Sequence, residues 1–157
     1  MLENKIKNIL EQDVRSLNCN IWGIEISGNN LSKNITIFID KKDGLVTLDD
    51  CEKVNLQARE ILDNSMEFNF NFSLEVSSPG IDRKFFDVNQ LKDFIGQTVE
   101  VSHKLGLTKK IKTRGELKEV NKELVCLESQ DGKLKILLED YISSKLLGEI
   151  IWMKKFY

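Results

Sequence analysis

The chain has 157 residues, of which 41% are apolar and 31% charged, with a formal net charge of −2. That length fits one medium domain or two small ones, and that composition supports a packed core under a charged surface. No apolar run approaches the roughly 20 residues needed to span a bilayer, Met1-Leu2-Glu3-Asn4-Lys5 has none of the marks of a secretory signal, and Cys19, Cys51 and Cys126 are too scattered for a disulfide framework or zinc knuckle, so a cytoplasmic protein with three reduced thiols is expected.

Leu2, Ile6, Ile9, Leu10, Val14 and Leu17 fall on one stripe and predict an amphipathic helix over 2–17. Residues 20–27 alternate through Trp22, Ile24 and Ile26, and residues 34–40 through Ile35, Ile37 and Ile39. With Gly28-Asn29-Asn30 between them they predict a β-hairpin. A loop over 41–46 contains Asp43-Gly44. Thr47 reads as an N-cap, with Asp49 and Asp50 favourable in the first turn of a helix that runs to about Leu62. That helix should bury Cys51, Val54, Ala58, Ile61 and Leu62. A third strand is predicted over 72–77. The order α-β-β-α-β predicts that strands two and three run parallel, in a three-stranded mixed sheet with both helices on one face.

The third strand runs into Ser77-Ser78-Pro79-Gly80-Ile81-Asp82-Arg83, which holds the chain's only proline and one of its four arginines. Pro79 suits the second position of a turn, and Gly80 the third, with positive φ. Ser77 and Ser78 can cap the turn. The amides of Gly80 and Ile81 can form an anion nest. Asp82 can cap or pair with a basic residue, and Arg83 can grip a carboxylate or phosphate with two hydrogen bonds. The segment is expected to be a domain hinge, a recognition turn, or both.

Val88, Leu91 and Phe94 then predict a short helix stopped by Gly96. Short β-like runs follow at 98–105, 113–119, 123–129, 133–138 and 149–153, with a hairpin signal at Gln130-Asp131-Gly132-Lys133 and a single helical turn at 139–142. Five short strands point to a small barrel, marginal on its own at that size. The expected organisation is α+β in two domains: an α-β-β-α-β domain over 1–84, a linker with a short helix over 85–95, and a small all-β barrel over 96–157.

Charge follows the same division. Residues 1–95 carry 11 Lys and Arg against 16 Asp and Glu, and residues 96–157 carry 12 against 9. An acidic half suits a basic protein partner and a basic half suits nucleic acid. His103 is the only histidine and is expected at a solvated strand end, with no nucleophile motif to serve. Asp40, Asp43, Asp49 and Asp50 surround one loop, but Lys41 and Lys42 break the alternation that a calcium loop needs. Helix capping, a solvated loop, or contact with a basic partner accounts for them. The acid-free stretch from His103 to Arg114 carries Lys104, Lys109, Lys110, Lys112 and Arg114. As a loop between the first two barrel strands it would touch phosphates of a duplex or folded RNA. The bland alternative is a lysine-rich edge that blunts strand pairing.

Glu75-Val-Ser-Ser-Pro-Gly-Ile-Asp-Arg83 resembles the signature of the RimP family of bacterial ribosome maturation factors, as does the stretch from Ile39 to Glu52. The resemblance implies an α/β first domain and an SH3-like or Sm-like barrel. It implies a non-catalytic assembly factor for the small ribosomal subunit, with no cofactor and no metal. The implied partners are the immature subunit's rRNA and a basic ribosomal protein, without membrane or small-molecule substrate; a monomer is the simplest expectation. Two features depart from the family: Lys84 stands where a second proline is usual, and Arg114 is the only arginine beyond residue 96. The latter favours phosphate contact over base readout. A free-standing Sm-like module acting on small RNAs is the rival expectation.

Overall fold

Ile6, Leu10 and Val14 recur at helical intervals, and in the computed structural model, which describes residues 1–65 and 67–148, they form the buried stripe of helix α1 (Leu2–Ser16). Asn18 then takes the left-handed conformation (φ 62°) and turns the chain into strand β1 (Asn20–Gly28). Strand β2 (Ser32–Asp40) returns antiparallel to β1. Gly28 is required at that corner: its φ is +100°, and a Cβ would lie 2.4 Å from the Ser32 carbonyl oxygen. Asn29 Oδ1 accepts from the amides of Leu31 and Ser32, closing the turn.

Helix α2 (Leu48–Asp63) begins with a reciprocal cap. The Thr47 hydroxyl accepts from the Asp50 amide, and the Asp50 carboxylate accepts from the Thr47 amide. Strand β3 (Asn71–Ser77) lies parallel to β2, as the helical crossover predicts, giving the order β1-β2-β3. Both helices share one core with the strands: Val54, Ala58 and Leu62 of α2 and the α1 stripe meet Ile24, Ile35, Ile37 and Ile39. Cys51 and Ile61 are half-buried against this core. A bulge between Ile21 and Gly23 breaks the alternation of β1. It brings Ile21, expected on the opposite side of the strand from Ile24 and Ile26, against the core with them. On the outer edge of the sheet, Asn55 Nδ2 donates to the Leu74 carbonyl and Arg59 Nη1 to the Phe72 carbonyl, each at 3.3 Å.

This first compact unit spans Met1–Pro79, and a second spans Gly80–Tyr157. The second holds strand β4 (Lys84–Phe85), a 3₁₀ helix over Val88–Phe94 capped by Asp87, and strands β5 (Thr98–Leu105), β6 (Lys109–Val120), β7 (Leu124–Ser129), β8 (Gly132–Leu137) and β9 (Tyr141–Leu146). All pairs are antiparallel, in the order β4-β9-β5-β6-β7-β8. Phe85, Leu91, Val99, Val101, Leu117, Val125, Leu127, Ile136 and Leu146 are buried.

Some expectations change here, and one falls outside the described residues. The sheet is open rather than a closed barrel among the described residues, because β4, not β8, takes the far edge of β9. The helical turn expected at 139–142 is a plain turn at Leu138–Asp140 followed at once by β9. The strand expected at 149–153 lies outside the described residues. Residues 84–95, expected to close the first domain and link to the second, lie in the second unit. Lys84 and Phe85 pair with Lys145 and Ser144, and the Phe85 ring meets Phe94 edge-on at 5.2 Å.

Candidate nucleic-acid interface

The segment expected as a basic loop is largely paired strand. Only Gly106, Leu107 and Thr108 form the turn between β5 and β6. Lys104 pairs with Lys110, Ser102 with Lys112, and Glu100 with Arg114, while Leu105 pairs with Lys109. Strand alternation therefore divides the basic residues. Lys104, Lys110, Lys112 and Arg114 share one face. Lys109 belongs to the other, with His103 and Ile111. Every one of these lysines and Arg114 is exposed.

The pairing with β9 and β4 extends that face. Lys145 lies opposite Glu100 and Lys84 opposite Lys145, so a row Lys84–Lys145–Glu100–Arg114 crosses four strands. Ser143 lies opposite Ser102, forming a second row with Lys112. Glu100 is the acid within these rows. Its carboxylate accepts from Arg114 Nε at 2.7 Å, and Lys145 Nζ stands 3.9 Å from its other oxygen. Its side chain is only 7% exposed, against 69% for Arg114. The hydrogen bond from Arg114 holds the Glu100 carboxyl below the usual carboxylate range, in spite of burial. A groove of about 200 Å³ beside it is lined by Asp82, Lys84, Ser102, Lys112, Ser143 and Lys145, among others. Glu100, Lys145 and the two serines are not singled out by the sequence, and Lys84 only as standing where a proline is usual. Glu100 stands between Val99 and Val101 in a strand pattern, where an acid reads as an ordinary solvent-facing residue.

Around the signature, Gly80 has φ +82° as its turn role requires, but the turn itself falls at Ile81–Asp82. The Ser77 hydroxyl donates to the Ser78 carbonyl at 3.2 Å. Pro79 is half-buried. Asp82 accepts from the Gly148 amide at 2.9 Å, and the Arg83 carbonyl from the Leu146 amide at 2.7 Å. A Cβ on Gly148 would lie 1.7 Å from Ile81 Cγ2, so Ile81 and Gly148 are in direct contact. The Arg83 guanidinium stacks over Phe94, 5.5 Å from the ring centre. Residues 81–84 are thus fastened to the end of β9.

The four loop acids are not equivalent. Asp50 is engaged in the cap and in an ion pair with Lys41 at 2.8 Å. Those bonds, the Lys41 one foremost, lower its pKa to about 2. Asp40 accepts from the Lys41 amide. Asp49 pairs with Lys53 across one helical turn while fully in solvent, and Asp43 is exposed in the loop.

His103 is buried rather than solvated. Its Nδ1 donates to the Lys104 carbonyl at 3.0 Å and its Nε2 shares a hydrogen bond of 2.8 Å with the Thr113 hydroxyl. Burial raises the pKa of the Tyr141 phenol, whose hydroxyl meets Ser144. Among the described residues no group of three or more His, Cys, Asp or Glu is placed to hold a metal ion, and no helix is long and apolar enough to cross a membrane.

The family model described as the RimP N-terminal domain matches residues 9–82. The match runs from the middle of α1 through the capped helix α2 and strand β3 into the Pro79–Asp82 signature. It covers the stretch from Ile39 to Glu52 and the signature as far as Asp82, so residues 9–82 are similar to the N-terminal domain of the RimP family.

Proposed function

We propose that this chain is a non-catalytic assembly factor that binds the immature small ribosomal subunit and assists its maturation. The family match carries this reading, since RimP proteins are ribosome maturation factors. In it, Lys104, Lys110, Lys112 and Arg114 contact rRNA phosphates, with Lys109 at the margin. The acidic first unit meets a basic ribosomal protein. Asp43 and Asp49 are the acids turned to solvent there, close in sequence to Leu45 and Leu48, which are 89% and 84% exposed. A partner with cationic and apolar side chains suits that surface. Asp40 and Asp50 act by shaping the loop.

The turn from Ser77 to Arg83 belongs to the same proposal as the junction between two separately acting surfaces. So does the assignment of the second unit to the SH3-like, Sm-like class. That assignment is supported by the antiparallel run β5 to β8 and by bulges at Ser102/His103 and Leu117/Glu119, which bend the sheet. The protein would act in the cytoplasm as a monomer, without membrane, metal or small-molecule substrate.

Lysate fractionated on a low-salt sucrose gradient tests the proposal. The protein should travel with free small subunits and be missing from whole ribosomes and polysomes, and its deletion should accumulate unprocessed small-subunit rRNA. Protein that stays at the top of the gradient, with normal rRNA processing, overturns the proposal and favours the Sm-like module instead.

A further inference from the structure

Resting on the RNA contact proposed above, we infer that Glu100 is a positioning residue: it holds Arg114 and Lys145 in a preset row that takes the sugar–phosphate backbone of folded RNA across β4, β9, β5 and β6.

An acid in the middle of a basic face calls for a reason. Lys84, Lys104, Lys110, Lys112, Arg114 and Lys145 occupy this face, and Glu100 is the carboxylate beneath them. Removing a carboxylate from water is costly, and an ion pair with a partner as exposed as Arg114 contributes little to stability. What the pair does supply is direction. Glu100 engages Arg114 through Nε, which leaves both terminal nitrogens of the guanidinium for a forked grip on a phosphate. Lys145 is held more loosely from the same side, with its side chain 47% exposed. Two long side chains are therefore partly ordered before a ligand arrives, and their ordering no longer opposes binding.

The neighbouring groove fixes the class of ligand. Its wall consists of lysines, serines, Asp82 and Glu100, with no apolar or aromatic side chain to receive a base or an apolar peptide residue. Phosphates match the lysines, and ribose hydroxyls match Ser102, Ser143 and the Asp82 carboxylate. The rows are two residues apart along the strands, a step of about 6.6 Å, along which successive phosphates of one strand can be bound.

The test uses the full chain and a fluorescein-labelled RNA hairpin, read by anisotropy. If Glu100 acted only through its charge, Glu100→Val and Glu100→Gln would tighten binding equally, because each removes one negative charge from a basic face. Positioning predicts otherwise. Glu100→Val, which offers Arg114 no acceptor, should weaken binding about fivefold, and should bind more weakly than Glu100→Gln, which keeps one. In an Arg114→Ala background the Glu100→Val change should weaken binding less, because only Lys145 is left to be held, whereas a general structural role would weaken it equally in either background. Should Glu100→Val fail to fold, Arg114→Lys keeps the charge and loses the fork, with the same fivefold loss expected. Equal affinities for the two Glu100 variants, a Glu100→Val protein that binds as tightly as wild type, or an unaltered Arg114→Lys protein overturns the inference. Polyglutamate that competes as well as unlabelled RNA overturns the choice of ligand. A protein that shows the expected order of affinities but never sediments with small subunits defeats the assembly proposal and leaves this one standing; the opposite pair of results does the reverse.

Discussion

Lys110 and Lys112 stand on the same face as Arg114, and Lys109 on the other, so neighbours in sequence should differ in function. We expect Lys110→Ala/Lys112→Ala to remove two phosphate contacts from the complex with immature small subunits. Each phosphate contact contributes at least about 0.7 to the slope of log K against log salt. Losing two should make the slope shallower by at least about 1.4. Over the fourfold rise from about 50 to about 200 mM salt, wild type should therefore lose at least about sevenfold more affinity than the double variant. The assay is binding of labelled protein to purified subunits at a series of KCl concentrations, with thermal unfolding run in parallel. Both lysines are exposed, so the melting temperature should hold. Lys109→Ala should leave the slope unaltered. A Lys109→Ala slope as shallow as that of the pair, or an unchanged slope in the pair, would refute the division of the hairpin into two faces.

Thr47→Ala should cost about 1 kcal/mol in urea unfolding through loss of the α2 cap. Asp50 has a native pKa of about 2, below its ordinary value of 3.8, so the unfolded chain takes up that proton first. The stability Asp50 contributes is complete above the ordinary value and is lost as pH falls toward the native one; Asp50→Asn should remove that acid-labile component, and an identical pH profile would contradict the geometry. Gly148→Ala should cost about 2 kcal/mol or more, because the new Cβ meets not only Ile81 Cγ2 but also the Ile81 carbonyl oxygen at 2.7 Å. Gly80→Ala, with open space around it, should cost only the left-handed strain of about 1–2 kcal/mol; denaturant melts that reverse this order would contradict the contact. Thr113→Val should cost about 1–3 kcal/mol by leaving the buried His103 Nε2 without its partner, measured by chemical denaturation.

The first unit was legible because its determinants are local. Thr47 and Asp50 meet within one helical turn, and Ile35, Ile37 and Ile39 alternate without interruption. The bulge at Ile21–Gly23 was hidden, since an inserted residue leaves no periodic mark. In the second unit, Lys110-Ile111-Lys112-Thr113-Arg114 resembles a loop by charge, yet its β-branched residues alternate with cations in the manner of a half-buried strand. Glu100 was beyond sequence reasoning: its meaning depends on Arg114, paired across from it, and on Lys145, far along the chain. Strand β9, in which Ser143, Ser144 and Lys145 interrupt the apolar residues, is set by the neighbours on both its sides rather than by its own composition.

The donors that α2 extends to the rim of β3 bear on the company this protein keeps. A bare strand rim is a template on which any extended peptide can add itself. Asn55 and Arg59 already occupy the carbonyls of Leu74 and Phe72, and the Arg59 guanidinium lies 4.4 Å from the centre of the Phe72 ring. A stray tail would have to evict a guanidinium that is stacked as well as hydrogen-bonded. The helix thus acts as a bolt on the sheet's open side, closing that side to strand addition.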